Sequence, residues 1–159
     1  MMKVKIKKLS ENAVVPKYAH DTDAGLDLVA TSKKVEDGCI VYGTGLAFEI
    51  PEGFVGLIFP RSSLAKKHLT LTNSVGVIDS GYRGEVTFKF RPSMDIRDYD
   101  GEKVTWNTSM GVINTFTDYN VGDRIGQLII LPYPKIEFEE ADELSKSERG
   151  EGGYGSTGK

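Results

Sequence analysis

The residues best equipped for chemistry fall in one run, Gly76-Val77-Ile78-Asp79-Ser80-Gly81-Tyr82-Arg83-Gly84-Glu85-Val86. Asp79 stands where two apolar β-formers, Val77 and Ile78, meet a turn, and Tyr82 follows three residues on. Ser80-Gly81 is a turn pair, since glycine takes positive φ without steric cost. From Glu85 to Arg91 polar and apolar residues alternate, as in a half-buried strand. The run therefore predicts a hairpin whose mouth offers backbone donors and acceptors, a carboxylate beside them and an aromatic ring closing one side. Such a mouth can hold a flat polar ring and place a base next to it. Taken in isolation, Asp79 and Tyr82 read more simply as turn residues.

Other polar residues need a position. In Ala24-Gly25-Leu26-Asp27-Leu28-Val29-Ala30 the strand period puts Leu26, Leu28 and Ala30 on one face and Asp27 on the other. Asp27 is either a hydrogen-bonded structural residue or part of a polar site near a cation. In Pro60-Arg61-Ser62-Ser63-Leu64-Ala65-Lys66-Lys67 a serine is placed to cap a short helix. That helix start is either an anion site with Arg61 beside it or an ordinary capped turn. Gln127 lies inside the apolar run Ile125 to Leu131 and requires a partner or a ligand. The tail from Arg149 to Lys159 matches Gly-x-Gly-x-x-Gly twice, and Gly153 to Lys159 fits Gly-x4-Gly-Lys. Both motifs require a preceding strand and a following helix, which this stretch does not offer. What remains is a flexible arm carrying Arg149, Tyr154, Ser156 and Thr157, free to fold over a phosphate chain as a lid or to remain a disordered end.

The elements around these residues read as β throughout. Val4 to Leu9 predicts a first strand, Asn12 to Asp23 a loop, and Cys39 to Tyr42 and Leu46 to Ile50 two more strands. Phe54 to Phe59 predicts a strand buried on both faces, after a turn at Pro51-Glu52-Gly53. Leu69 to Ser74 is a further strand-like run ending near Asn73, and Lys135 to Glu139 alternates like a last strand. Ala141 to Arg149 is charged and should lie extended over the surface. Pro92 to Phe116 exceeds any simple hairpin connection and reads as an inserted hairpin or loop with a turn at Asp100-Gly101. Its Asp95, Asp98 and Asp100 lack the spacing of a calcium loop.

Composition agrees. The 159 residues make one ordinary domain, and 18 glycines scattered among short β-rich runs favour a barrel or sandwich. A net charge of −3 gives no footprint for nucleic acid, and no run is long and apolar enough for a membrane helix. The first residues lack the apolar core of a signal peptide, and Cys39 is the lone cysteine, which together fit a cytoplasmic protein.

Five blocks occur in one order: 24–28, 60–65, 76–86, 122–128 and 149–158. In this order they resemble the trimeric dUTP diphosphatase (dUTPase) family over nearly the whole chain. The resemblance implies a compact jelly-roll-like β-barrel over residues 1–148, with an inserted segment at 93–116 and a Gly-rich arm at 149–159. It implies a homotrimer with three sites between subunits, each closed by an exchanged arm, and hydrolysis of dUTP to dUMP and pyrophosphate with Mg²⁺. Asp79 then matches the water-activating carboxylate, and Tyr82 the ring beneath the deoxyribose. Gly76, Val77 and Ile78 match the backbone facing uracil, with Asn73 beside them. Arg61, Ser62, Ser63, Gln127 and Arg149 match phosphate-binding positions, and Asp27 a carboxylate that meets the metal through water. Tyr154 matches the aromatic over uracil, and Gly155, Ser156 and Thr157 complete the lid. The sequence departs from the family at Gly81, where many members are acidic, at Tyr154, usually phenylalanine, and in the length of the inserted segment.

Two rival readings remain. A dCTP deaminase of the same fold would need a glutamate placed to activate attack on cytosine, and no such motif is present. The segment 93–116, with Tyr99 and Trp106, offers a docking surface for a protein partner.

Overall fold

The computed structural model describes residues 2–67, 69–92 and 118–153. The inserted segment at 93–116 and the lid residues Tyr154, Gly155, Ser156 and Thr157 lie outside the described residues. So does His68.

Ten strands and one 3-10 turn make up the described chain, and every strand pair is antiparallel. The strands are β1 (Lys5–Lys8), β2 (Leu26–Val29), β3 (Ser32–Glu36), β4 (Cys39–Gly43), β5 (Leu46–Glu49), β6 (Phe54–Phe59), β7 (Leu69–Leu71), β8 (Gly76–Ile78), β9 (Thr87–Pro92) and β10 (Arg124–Pro132). One four-stranded sheet runs β2-β10-β6-β8, a second runs β3-β4-β9-β7, and β1 pairs with β5. No α-helix occurs among the described residues, in keeping with the lack of long helical periodicity; the short helix offered after Arg61 is the 3-10 turn Ser62–Lys66.

The two large sheets enclose one core. Leu28, Ile58, Ile125 and Leu128 come from the first sheet, and Ile40, Tyr42, Leu69, Leu71, Phe88 and Phe90 from the second. The alternation in β9 sends Phe88 and Phe90 fully inward, where Tyr42 meets Phe90 edge-on at 5.9 Å. Burial pushes the Tyr42 hydroxyl up to about 12, so it stays protonated and donates to the Tyr119 carbonyl at 3.0 Å. Gly126 lets the sheets close: a Cβ there would collide with the Phe88 ring and come within 2.9 Å of the Phe59 carbonyl.

Three expectations change, and one strand has no forerunner in the sequence pattern. The central run is not a hairpin: β8 pairs with β6 in the first sheet, while β9 pairs with β4 and β7 in the second. Residues 79–86 therefore cross from one sheet to the other. Gly81 is absent from the positive-φ glycines, so the turn does not use its conformational freedom. Lys135 to Glu139 forms no strand, because its alternating residues find no partner strand among the described residues; Ile136 and Phe138 stay 71% and 90% exposed. The strand β3 gave no signal, because it is a lysine-bearing edge with all five residues exposed.

Candidate active site

The outward face of the first sheet carries two carboxylates in different settings. Asp27 on β2 stands level with Gln127 on β10, which stands level with Phe59 on β6. Arg61 Nε donates to Asp27 Oδ1 at 2.8 Å, Gln127 Nε2 to the same oxygen at 3.3 Å, and Arg124 Nη1 to Oδ2 at 3.0 Å. Burial alone would push this carboxyl up. The hydrogen bond from Arg124 and the charge of Arg61 outweigh it and hold the group below its ordinary 3.8.

Arg61 also sets the turn that follows. It takes an extended conformation (φ −87°, ψ 158°) at the cap of the 3-10 turn Ser62–Lys66. Neither Ser62 nor Ser63 caps it, contrary to expectation: the cap position falls one residue earlier, and the Arg61 side chain is drawn to Asp27. Ser62 is exposed. Ser63 Oγ is buried with no hydrogen-bond partner among the described residues, an arrangement that polar groups rarely tolerate without a ligand or water.

The second setting is a cavity of about 160 Å³ walled by Asn73, Gly76, Val77, Ile78, Asp79 and Tyr82, with Ile58 and Glu85 to Thr87 behind them. Gly76 keeps it open, since a Cβ there would collide with Ile58 and come 3.1 Å from Asn73 Nδ2. Asp79 begins a turn in which its carbonyl accepts the Tyr82 N–H at 3.0 Å. Its carboxylate is exposed and has no side-chain partner among the described residues. The Tyr82 hydroxyl donates to the Glu85 carbonyl at 3.0 Å, and Arg83 Nη1 ties the turn through the carbonyls of Ser80 and Tyr82 at 2.6 and 2.8 Å.

A larger recess of about 590 Å³ borders the same turn at Ser80, Gly81 and Arg83 and is lined also by Lys3, Lys5 and Lys135. Two of its lysines are already paired, Lys5 with Glu49 at 2.8 Å and Lys135 with Glu52 at 2.7 Å. It offers less free charge than its size suggests.

The structure thus gathers Asn73, Gly76, Val77, Ile78, Asp79 and Tyr82 in one place, and Asp27, Arg61 and Gln127 in another. It does not bring the two groups together within one chain. Ile78 pairs with Gly56, so Asp79 falls one position further on, four positions along the sheet from the row of Asp27, Gln127 and Phe59, and β8 lies three strands from β2, which carries Asp27. At ~3.3 Å per residue and ~4.8 Å per strand, the separation is about 20 Å. Arg149 is exposed, and its Nε donates to the Gly152 carbonyl at 3.0 Å. Arg124 and Glu85 were not singled out in the sequence. Arg124 stands three residues from Gln127, an odd spacing that puts them on opposite faces of a regular strand. A register shift between Arg124 and Gly126 is what brings them to the same carboxylate.

The dUTPase family profile matches residues 11–95 and 96–158. The chain belongs to the dUTPase family. As a member it is a hydrolase. It is 39% identical to the deoxyuridine 5'-triphosphate nucleotidohydrolase of Clostridium acetobutylicum, with 99% of this chain and 98% of that protein covered. It is 41% identical to the enzyme of the same name from Nautilia profundicola, covering 99% and 100%. Among solved structures, the Staphylococcus bacteriophage 80alpha dUTPase with dUPNHPP superposes with a TM-score of 0.76 at 32% identity, covering 99% of each chain. A mutant dUTPase from phage phi11 of S. aureus, whose structure concerns the coordination of a structural Mg(II) ion, gives 0.67 at 29% identity, covering 90% and 99%. The jelly-roll-like β fold is shared with these phage enzymes.

Proposed function

We propose that this chain hydrolyses dUTP to dUMP and pyrophosphate. Water attacks the α-phosphorus in line, Asp79 accepts the water's proton as general base, and pyrophosphate leaves. The observation that carries the reading is the Asp79 carboxylate, exposed and without a side-chain partner among the described residues, at the edge of a small cavity lined by Asn73, Gly76, Val77, Ile78 and Tyr82.

In this reading uracil faces the backbone of Gly76, Val77 and Ile78, with Asn73 beside it. Uracil presents an N3–H donor between two carbonyls, whereas cytosine presents an acceptor and an amino group. A fixed backbone pattern leaves the wrong base with buried polar groups unpaired, which can discriminate by about 10⁴-fold or more. Tyr82 packs beneath the deoxyribose and leaves no room for a 2′-hydroxyl. Arg61, Ser62, Ser63 and Gln127 receive the phosphates, and the orphaned Ser63 hydroxyl supports this. Arg149, Tyr154, Gly155, Ser156 and Thr157 close over the nucleotide.

The separation of about 20 Å supports a site shared between copies, because a triphosphate anchored at Asp79 cannot reach Arg61 of the same chain. Between the two groups the outward face of the sheet carries Leu57, Val77 and Ile129 in one cross-strand row, with Val77 62% exposed. A second copy packed on this face would bury that row and join the halves, as a closed homotrimer does.

Mg²⁺ fits this chain as an ion carried by the substrate. Among the described residues no three His, Cys, Asp or Glu side chains gather to hold a metal, and both oxygens of Asp27 already accept protein donors. Asp27 would meet the ion through water. When bound, the ion supplies charge neutralisation on the triphosphate. The residues of the chain do the rest: Asp79 holds the water, Arg61 and Arg149 stabilise developing charge, and Gln127 adds neutral donors.

A pyrophosphate-release assay with dUTP, UTP, dCTP and dTTP tests the reading. Turnover of dUTP alone is the expected result. Comparable turnover of dTTP, or ammonia release from dCTP, contradicts it.

A further inference from the structure

We propose that Glu85 is a positioning residue that sets the Tyr82 ring, and through it the discrimination between deoxyribose and ribose. The proposal rests on the reading above, in which Tyr82 faces the sugar. Residues 79–86 span the gap between two sheets, so the ring is only as well placed as the far end of the crossing.

That far end is bracketed by the connection between β4 and β5. The fully buried Thr44 donates its hydroxyl to the Val86 carbonyl at 2.7 Å, and the Val86 N–H donates to the Leu46 carbonyl at 2.9 Å. These bonds fix Val86 but leave the preceding residue free to swing. Glu85 supplies the missing tie: its Oε1 accepts the Gly45 N–H at 2.7 Å. Gly45 is itself held at φ +65°. With its side chain anchored, the Glu85 carbonyl is aimed at the Tyr82 hydroxyl, which donates to it at 3.0 Å. Gly84 lies between them, where a Cβ would collide with the Tyr82 ring and hydroxyl. The chain of contacts therefore runs from the Gly45 amide through the Glu85 side chain to its carbonyl, and from there to the ring.

The test measures kcat and KM for dUTP and UTP in Glu85→Ala, Glu85→Gln, Tyr82→Phe and Tyr82→Ala. A 1 Å misplacement can cost on the order of 10²-fold, so a loosened ring in Glu85→Ala should lower kcat/KM for dUTP about tenfold and reduce the dUTP-over-UTP preference by a similar factor. Glu85→Gln keeps an oxygen for the Gly45 N–H and should recover most of both. Tyr82→Phe, which leaves Glu85 and its bond to Gly45 in place, should relax the preference part-way even if Glu85→Ala folds poorly. If Tyr82→Ala relaxes the preference but neither Glu85→Ala nor Tyr82→Phe does, the role given to Glu85 is wrong. A Glu85→Gln variant as impaired as Glu85→Ala also overturns it. If Tyr82→Ala itself leaves the preference unchanged, the reading of the sugar face fails.

Discussion

Asp27 and Asp79 belong to the same sheet system, and their surroundings are opposite. Asp27 is enclosed by two guanidiniums and an amide, which hold it ionised and occupy both its oxygens. Asp79 is exposed beside a cavity, with no side-chain partner among the described residues. A carboxylate clasped by two arginines is a poor proton acceptor, because protonation would forfeit both pairings. A carboxylate without such pairings forfeits none of them on accepting a proton from a water held beside it. Under the proposed mechanism, environment rather than residue type divides structural from catalytic work.

Three outcomes break or sharpen that contrast. The largest effect is expected for Asp79→Asn, which should lose on the order of 10²–10⁴-fold in kcat while still binding dUTP. Pyrophosphate release and calorimetric titration check this together, and Asp27→Asn should lose much less in kcat. Equal losses in the two variants would erase the distinction. Next comes removal of residues 149–159. Activity should fall sharply, though less than in Asp79→Asn, while sedimentation still shows a trimer; a truncated monomer would make the arm part of the assembly instead.

The smallest effect concerns acid stability. The folded Asp27 carboxyl lies below its ordinary 3.8, so the stability it contributes is fully present above that range. It is lost as pH falls through the folded value, because the unfolded chain then binds the proton more readily. Between roughly pH 6 and roughly pH 3 the fall in Tm should be smaller for Asp27→Asn than for the parent chain. Identical acid profiles would show that the cluster holds no proton-linked stability.

Much of this was legible in the sequence, for physical reasons that also mark its limits. Period-two alternation placed Asp27 opposite Leu26 and Leu28, and the buried run around Gln127 demanded a partner, which proved to be Asp27. The same rule missed Arg124, because a register irregularity reverses its face. It overcounted at Lys135 to Glu139, where alternation reports an amphipathic segment but not the partner that would pair with it. It undercounted at β3, whose exposed lysine-bearing edge carries no apolar period. Glu85 looked like a solvent-facing strand residue, and only the fold brings Gly45 to it. The hairpin expected around Asp79 failed for a related reason: a turn signal fixes a reversal of the chain, not which strands the two arms join.

The central claim is that Asp79 and Arg61 meet only across copies of the chain. It is tested most directly by mixing Asp79→Asn with Arg61→Met subunits, each nearly inactive alone, under conditions that exchange them. Sites pairing an intact Asp79 with an intact Arg61 then arise at mixed interfaces, and activity should return to about a quarter of the unmutated level by random assortment in a closed ring. Activity that stays at the level of the separate variants after demonstrated exchange would place both residues in one chain's site and contradict the account.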